Sequence, residues 1–205
     1  MLFLVEYASF NMQECIGEGA VNKTDDSTNN MAENTGATTS LGNASGTVTN
    51  ANNIEIISYR GEENFYGNIW KWVDGANIYA DATHGDHFLY IANDKSFEES
   101  KKTGNYELVN FTLAMANDYV SAFGYDPAFD WLFIPSEVGQ NDASSAVPVG
   151  DYYWQSTGSD GYRVATLGAL WNNGLKAGGF CWAVINAPSI RSRLIGGRLA
   201  YVPAV

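Results

Sequence analysis

Residues able to do chemistry are few in this chain. Both histidines fall in His84-Gly-Asp-His87, where a His-x-x-His pair with Asp86 offers three potential ligands. A zinc site wants four ligands, or three plus an open position, and no cysteine lies near; solvated loop histidines are the expectation. Asp74, Asp81 and Asp86 do not follow the spacing of an EF-hand loop. Gly17-Glu-Gly19 lacks the third glycine and following lysine of a phosphate-cradling loop, and no Gly-x-Ser-x-Gly elbow is present. Asp126 and Asp130, in Asp-Pro-Ala-Phe-Asp, read as turn formers rather than as an acid/base pair. Cys181 could serve as a nucleophile if Arg191 or Arg193 lowered its pKa, but a lone Cys in the strand-like Phe180-Cys-Trp182 is more often a small filler. The inventory points to no catalytic centre, and neither a metal nor a cofactor is expected.

The elements that would carry these residues belong to one acidic domain. The chain has 205 residues, 45% hydrophobic and 14% aromatic, and a net charge of −12. A chain this acidic repels phosphate backbones, which argues against nucleic acid as a partner. No apolar run is long enough for a membrane span, so membrane insertion is not expected. The apolar opening Met1–Val5 lacks a basic start and runs into Glu6, so it does not read as a signal peptide. The acidic excess lies wholly before Gly161, after which come Arg163, Lys176, Arg191, Arg193 and Arg198 and no carboxylate side chain. Such a segregated terminus is either an internal electrostatic match or a recognition surface.

Two regions differ in composition. Residues 1–53 hold a short helix around Ser9–Gly17, with Ser9 or Asn11 as cap, and then a leader of mostly Asn, Ser, Thr and Gly. Leu41 and Val48 within it suit short edge strands, so partial order is expected. Residues 54–205 form the main domain. Strands are expected at 54–59, 87–91, 119–123, 131–134, 151–154, 163–167, 180–185 and 198–202, where short aromatic and β-branched runs are bounded by turn residues. A helix is expected over 62–74, from the spacing of Phe65, Ile69, Trp70 and Val73, with Gly75 as its stop. The fold class is therefore α+β, with few short helices, short antiparallel strands and much irregular loop.

Gly67-Asn-Ile-Trp-Lys-Trp-Val73 resembles the Gly-Asn-Val-Trp-Glu-Trp signature of formylglycine-generating-enzyme-type domains, a branch of the C-type lectin fold. The stretch from Gly168 to Pro203 resembles the variable region of phage and prophage proteins diversified by retroelements. Phe129–Glu137 and Gly150–Trp154 are similar to the same group, so the resemblance spans most of residues 54–205. In that family a reverse transcriptase misreads template adenines, which scatters asparagine-type codons across fixed positions of a stable scaffold. The resemblance implies a ligand-binding receptor or adhesion protein of a virion or cell surface, with a protein or glycan partner, and is compatible with a homo-oligomer. It assigns variable positions to Leu175, Cys181, Ala183, Ile185, Ile190, Arg191, Arg193 and Leu194. Scaffold roles fall to Trp171, Asn172, Asn173, Gly174, Ala177, Gly178, Gly179, Trp182, Asn186, Ser189, Ile195, Gly196, Gly197, Arg198 and Leu199.

Period two places Cys181, Ala183 and Ile185 on one face of a strand, with Trp182 and Val184 on the other. The first set is either the core side of an ordinary strand or an outward, changeable surface. Ile190-Arg-Ser-Arg-Leu194 favours the outward reading, because arginines between apolar residues suit a binding patch. The six tryptophans are expected to brace the loops, their N–H groups pinning carbonyls. Gly174, Gly178, Gly179, Gly196 and Gly197 are expected to supply backbone conformations closed to other residues. A copper oxidase is the rival reading, since that enzyme family uses a cysteine pair and this chain offers Cys15 and Cys181. A structural virion part docking through its Arg-rich end is a further alternative.

Overall fold

The computed structural model describes residues 2–24, 32–92, 98, 100–146, 148–156 and 158–197. Most of the regular structure is strand, as the strong β-branched and aromatic content demands. Two short helices open the chain, α1 (Leu2–Tyr7) and α2 (Met12–Cys15). Asn11 caps α2 by accepting a hydrogen bond from the Glu14 amide, and Met12 sits in the main core.

Three strands, β1 (Gly46–Thr49), β2 (Glu55–Tyr59) and β3 (Glu62–Glu63), form a small antiparallel sheet. The rest build a larger mixed sheet: β4 (Trp70–Asp81), β5 (Asp86–Ala92), β6 (Tyr106–Thr112), β7 (Asp118–Phe123), β8 (Pro135–Val138), β9 (Tyr152–Gln155), β10 (Gly161–Leu167), β11 (Trp182–Asn186) and β12 (Ile195–Gly196). Its order is β6-β5-β4-β10-β11-β9-β7-β8, with β12 pairing alongside β4. The β11–β9 and β12–β4 pairings are parallel and the others antiparallel. One face of this sheet buries Ile78, Leu89, Ile91, Tyr153 and Val184 together with Ile57 and Tyr66.

The polar leader packs against the rest of the chain. β1 pairs with β2 across residue 53, from Gly46 opposite Ser58 to Thr49 opposite Glu55, and Ala20 and Val21 are fully buried. Val48 lies in a strand as expected, whereas Leu41 closes a 3-10 turn. Polar side chains do the anchoring that apolar ones cannot: Glu33 pairs with Lys23 and accepts hydrogen bonds from Asn50 and Asn52. Burial pushes the Glu33 carboxyl up, but the bonds from Lys23, Asn52 and Asn50 outweigh it and hold the group below its ordinary value.

The helix expected over 62–74 does not form. Asn64, Gly67 and Asn68 all have positive φ (51°, 72° and 64°), which breaks a right-handed helix, and from Trp70 the chain runs as the long strand β4. A β-carbon on Gly67 would lie 2.7 Å from the Val21 side chain and 2.8 Å from the Ala20 carbonyl, so the leader and this turn meet only through glycine. Gly75, expected as a helix stop, lies instead in an irregularity of β4, whose register with β10 shifts between Val73 and Asn77. The run 131–134 is turn, with the strand beginning at Pro135, and β6, β8 and β12 had no counterpart in the sequence reading. Residues 198–202 lie outside the described residues.

Candidate ligand-binding face

The face of the large sheet opposite the main core carries the second hydrophobic cluster, and strand register decides which side chains reach it. Ala183 of β11 lies opposite Trp154 of β9 and opposite Thr166 of β10, and Thr166 in turn lies opposite Trp72 of β4. Residues directly opposite one another share a face, as do residues two apart on one strand. Trp70, Trp72, Trp154 and Tyr152 therefore project to the same side, joined by Tyr119, which pairs with Tyr152.

Their rings form a half-exposed aromatic shelf. Trp70 meets Trp154 edge-on at 5.4 Å, Trp154 meets Tyr152 at 4.6 Å, and Tyr152 meets Tyr119 at 5.1 Å. The Lys176 ammonium lies over the shelf, 4.3 Å from the Tyr152 ring centre and 5.8 Å from that of Trp154, within cation–π range. Trp72 extends the face into a groove of about 740 Å³, lined also by Asp74, Glu98, Tyr106, Ile190 and Arg191.

The predicted positions divide across this face. Leu175 is 61% exposed on the 3-10 turn Gly174–Lys176, and Ile185 is 42% exposed on β11. Ile190 is 41% exposed, and Arg191 and Arg193 are exposed in the following loop, with Ile190 and Arg191 at the groove wall. Leu194 is half-buried, its carbonyl accepting a hydrogen bond from the Trp70 amide at 3.0 Å.

Cys181 and Ala183 depart from the expectation. They lie on the predicted face but are wholly buried there; Cys181 forms a small cluster with Val21, Ala169 and Ala177, against which the Trp70 and Trp154 rings pack. The strand does sort its side chains as expected, with Val184 buried in the opposite core and Trp182 packed against it. What the period could not show is that indoles from β4 and β9 roof the middle of the outer face.

The loop carrying Leu175 is held by backbone and buried polar groups rather than by indole N–H bonds. The Gln13 side-chain amide donates to the carbonyls of Gly174 (3.0 Å) and Ala177 (2.6 Å), and the Gly174 amide donates to Val21 (2.9 Å). Asp151, fully buried, accepts from the Phe180 amide at 2.6 Å. Burial pushes its carboxyl up to about 8, with the Phe180 bond pulling the other way. Trp171 is buried and its backbone bonds both Lys23 and Asn68, while the indole nitrogens of Trp171 and Trp182 lack a hydrogen-bond partner among the described residues. Trp131 is 61% exposed and braces nothing at this face.

The glycines of the segment act mainly through closeness. Gly174 alone of the five has a positive φ (57°); at Gly178 a β-carbon would meet an Asp151 oxygen at 2.1 Å and at Gly179 the Met12 sulfur at 2.0 Å. Of the terminal basic residues, Arg163 is buried and donates to the carbonyls of Ser159 and Tyr162, so the basic end is not exposed as a whole; Arg198 lies outside the described residues.

No family model, curated protein or solved structure matches this chain.

The other candidates for chemistry resolve as structural parts. His84 is exposed and bonds Asp81 at 2.7 Å, which raises its pKa, but His87 is buried on β5 and not a solvated loop residue. Burial lowers its pKa, against the bond between Nε2 and the Ser156 carbonyl. Asp126 accepts from the Ala128 amide and caps the Pro127–Phe129 turn, as expected of a turn former. Cys15 and Cys181 are unpaired: Cys15 packs on the main core and Cys181 on the outer cluster. Burial pushes the Cys181 thiol well up, leaving little thiolate at neutral pH. Among the described residues no three His, Cys, Asp or Glu side chains gather as a metal site, and no helix is long and apolar enough to cross a membrane.

Trp72, Tyr152, Trp154 and Lys176 were not among the predicted binding positions. The signal for the tryptophans was available in the alternation Trp70-x-Trp72 and Tyr152-x-Trp154, which is strand spacing and puts each pair on one face.

Proposed function

We propose that this chain is a non-catalytic ligand-binding protein whose contact surface is the aromatic shelf with Leu175, Ile185, Ile190, Arg191 and Arg193 around it. The reading includes the lectin-type fold and the retroelement-diversified C-terminal region that the sequence motifs suggest. It fits a receptor-binding or adhesion protein of a phage or prophage, presented on a virion or cell surface to a protein or glycan of another cell. The observation that carries it is the contrast within one short segment. Five of the eight positions expected to vary are exposed, while the backbone beneath them is tied down at Gly174, Ala177 and Phe180. Exposed side chains can change size and charge without opening cavities or stranding buried polar groups. Aromatic rings, arginine and scattered aliphatic groups are also the side chains that dominate binding hot spots.

A saturation library over residues 174–194, sorted first for folding and then for capture by candidate receptor proteins and glycans, tests the reading. Folded members should carry nearly any residue at Leu175, Ile185, Ile190, Arg191 and Arg193, and binders should differ from one another at those positions. Equal intolerance at exposed and buried positions, or binding indifferent to all five, would overturn it. At the genetic level, a near-copy of the coding segment for residues 170–202, differing at adenines and lying beside a reverse-transcriptase gene, is the expected companion.

A further inference from the structure

The loop at residues 168–181 carries Leu175 and Lys176 to the ligand-binding face, and its neck is tied by the Gly168 N–H donating to the Cys181 carbonyl at 2.9 Å. We propose that Asp151 is a proton-operated latch for the foot of this loop, closed while its carboxyl is protonated and released when it ionises. The inference rests on the ligand-binding reading above and gives that face a control. Its test needs no ligand, so either can fail without the other.

The geometry of the latch is a carboxyl under a glycine backbone. Asp151 is 1% exposed and accepts the Phe180 N–H at 2.6 Å. A β-carbon on Gly178 would lie 2.1 Å and 2.3 Å from the two carboxyl oxygens, so the loop backbone rests directly on the group. The other described fasteners of the loop do not titrate. They are the Gln13 side-chain amide, which donates to the Gly174 and Ala177 carbonyls, and the Gly174 N–H, which donates to the Val21 carbonyl. Asp151 alone among them can change charge.

Nothing nearby offsets a negative charge at this position. Asp151 forms no ion pair among the described residues. The titratable groups facing it are the Tyr66 phenol, from the turn before β4, and the Cys181 thiol, at the end of the loop itself. Burial first, and the Asp151 charge second, push both upward, while Lys71 pulls the thiol the other way; both groups stay neutral. On β7, whose Val120 N–H donates to the Asp151 backbone carbonyl, Asp118 adds to the burial that raises Tyr119 and Tyr152. Burial pushes the Asp151 carboxyl itself up to about 8, against the Phe180 bond.

A carboxylate with one N–H donor and no cation is far more stable in water than under the loop. Lifting the foot of the loop lets water in and returns the group towards about 3.9. Opening therefore releases a proton between pH about 4 and about 8, and becomes about tenfold easier with each pH unit across that interval. The closed loop holds the Lys176 ammonium 4.3 Å from the Tyr152 ring centre, so the shelf keeps its cation best in acid and loses order as pH rises.

Amide hydrogen exchange of the full chain, followed by NMR from pH 5 to pH 8, tests the latch. The Phe180 amide should be less protected than the core amides of Ile78 and Leu89, because it exchanges through local opening. Its protection, corrected for the intrinsic rate, should fall by about tenfold per pH unit. Asp151→Asn keeps an oxygen for the Phe180 N–H but cannot ionise, so the slope should vanish there. Protection of Phe180 equal to that of Leu89 at every pH would confine its release to global unfolding and overturn the proposal. A flat profile in the wild type, or an unchanged slope in Asp151→Asn, would overturn it as well. If Asp151→Asn does not fold, the wild-type slope and the gap between Phe180 and Leu89 decide alone.

Discussion

Residues 174–184 and 185–194 are neighbours in sequence and lie around the same face, yet they are built differently. The first is fastened at almost every step: by Gln13, by Asp151, by the close approaches at Gly178 and Gly179, and by the indoles that pack on the cluster of Cys181 and Ala177. The second holds itself mostly through local bonds, Ile190 to the Ala187 carbonyl and Leu194 to the Ser192 hydroxyl, before β12 rejoins β4 beside Trp70. Side chains of the first segment are largely spent on the fold, Leu175 and Lys176 excepted. Those of the second face solvent and the groove. On the proposed function, a surface that changes partners without unfolding needs both kinds of segment, one to hold position and one to carry difference.

The comparison breaks most severely at Trp171, which is buried where the leader, the Asn68 turn and the outer cluster meet. Trp171→Ala should cost about 3–5 kcal/mol, read as a loss of unfolding free energy in urea. A cost near zero would mean that the fastened segment is not fastened there.

Next in size is Ala183→Leu, which forces three carbon atoms beneath the Trp154 ring opposite it; overpacking of this kind costs about 1–3 kcal/mol. The same change at Ile185, two residues on and exposed, should leave thermal stability nearly unaltered. Equal effects at the two positions would erase the distinction between segments.

A pH series sharpens it further. The Asp151 carboxyl is pushed up to about 8 in the fold, against about 3.9 in an unfolded chain, so folding retains a proton over that interval. Its contribution to stability is full below pH about 4 and is lost as pH rises through about 8. Glu33, whose pKa is lowered, works the other way, its contribution being lost as pH falls into the acid range. The melting temperature of the wild type, relative to Asp151→Asn, should therefore decline between pH 5 and 8.5. A difference independent of pH would show that Asp151 is ionised in the fold.

The smallest effect belongs to Arg191→Ala, within about 0.5 kcal/mol of wild type by thermal melt, because the side chain is exposed. Its consequence should appear in ligand choice instead. Destabilisation comparable to Trp171→Ala would place Arg191 in the scaffold.

Much of the architecture was open to reading from residue order. Short aromatic and β-branched runs between turn residues identified β2, β5, β7, β9, β10 and β11 in place, and the Asn11 cap marked α2. The alternation at Trp70-Lys-Trp72 went unused, because the spacing of Phe65, Ile69, Trp70 and Val73 suggested a helix that Asn64, Gly67 and Asn68 prevent. At the candidate site, exposure at Leu175, Ile185, Ile190, Arg191 and Arg193 agreed with expectation, and at Cys181 and Ala183 it did not. For those two residues alternation named the correct face. Which rings from strands some 30 and 110 residues earlier would cover it depends on sheet order, which alternation does not encode.

By itself the amino-acid order determined a strand-rich, acidic chain with a polar leader, a basic end and a strand whose two faces differ, because side-chain alternation and turn chemistry are local properties. Only the tertiary structure decided that the leader pairs with β2 and adds Val21 to the outer cluster, that Asp151 and His87 are buried, that the tryptophans form a shelf, and that Asn64 lines a cavity. These depend on which distant strands become neighbours and on the water they exclude together, and neither is a property of any stretch of sequence taken alone.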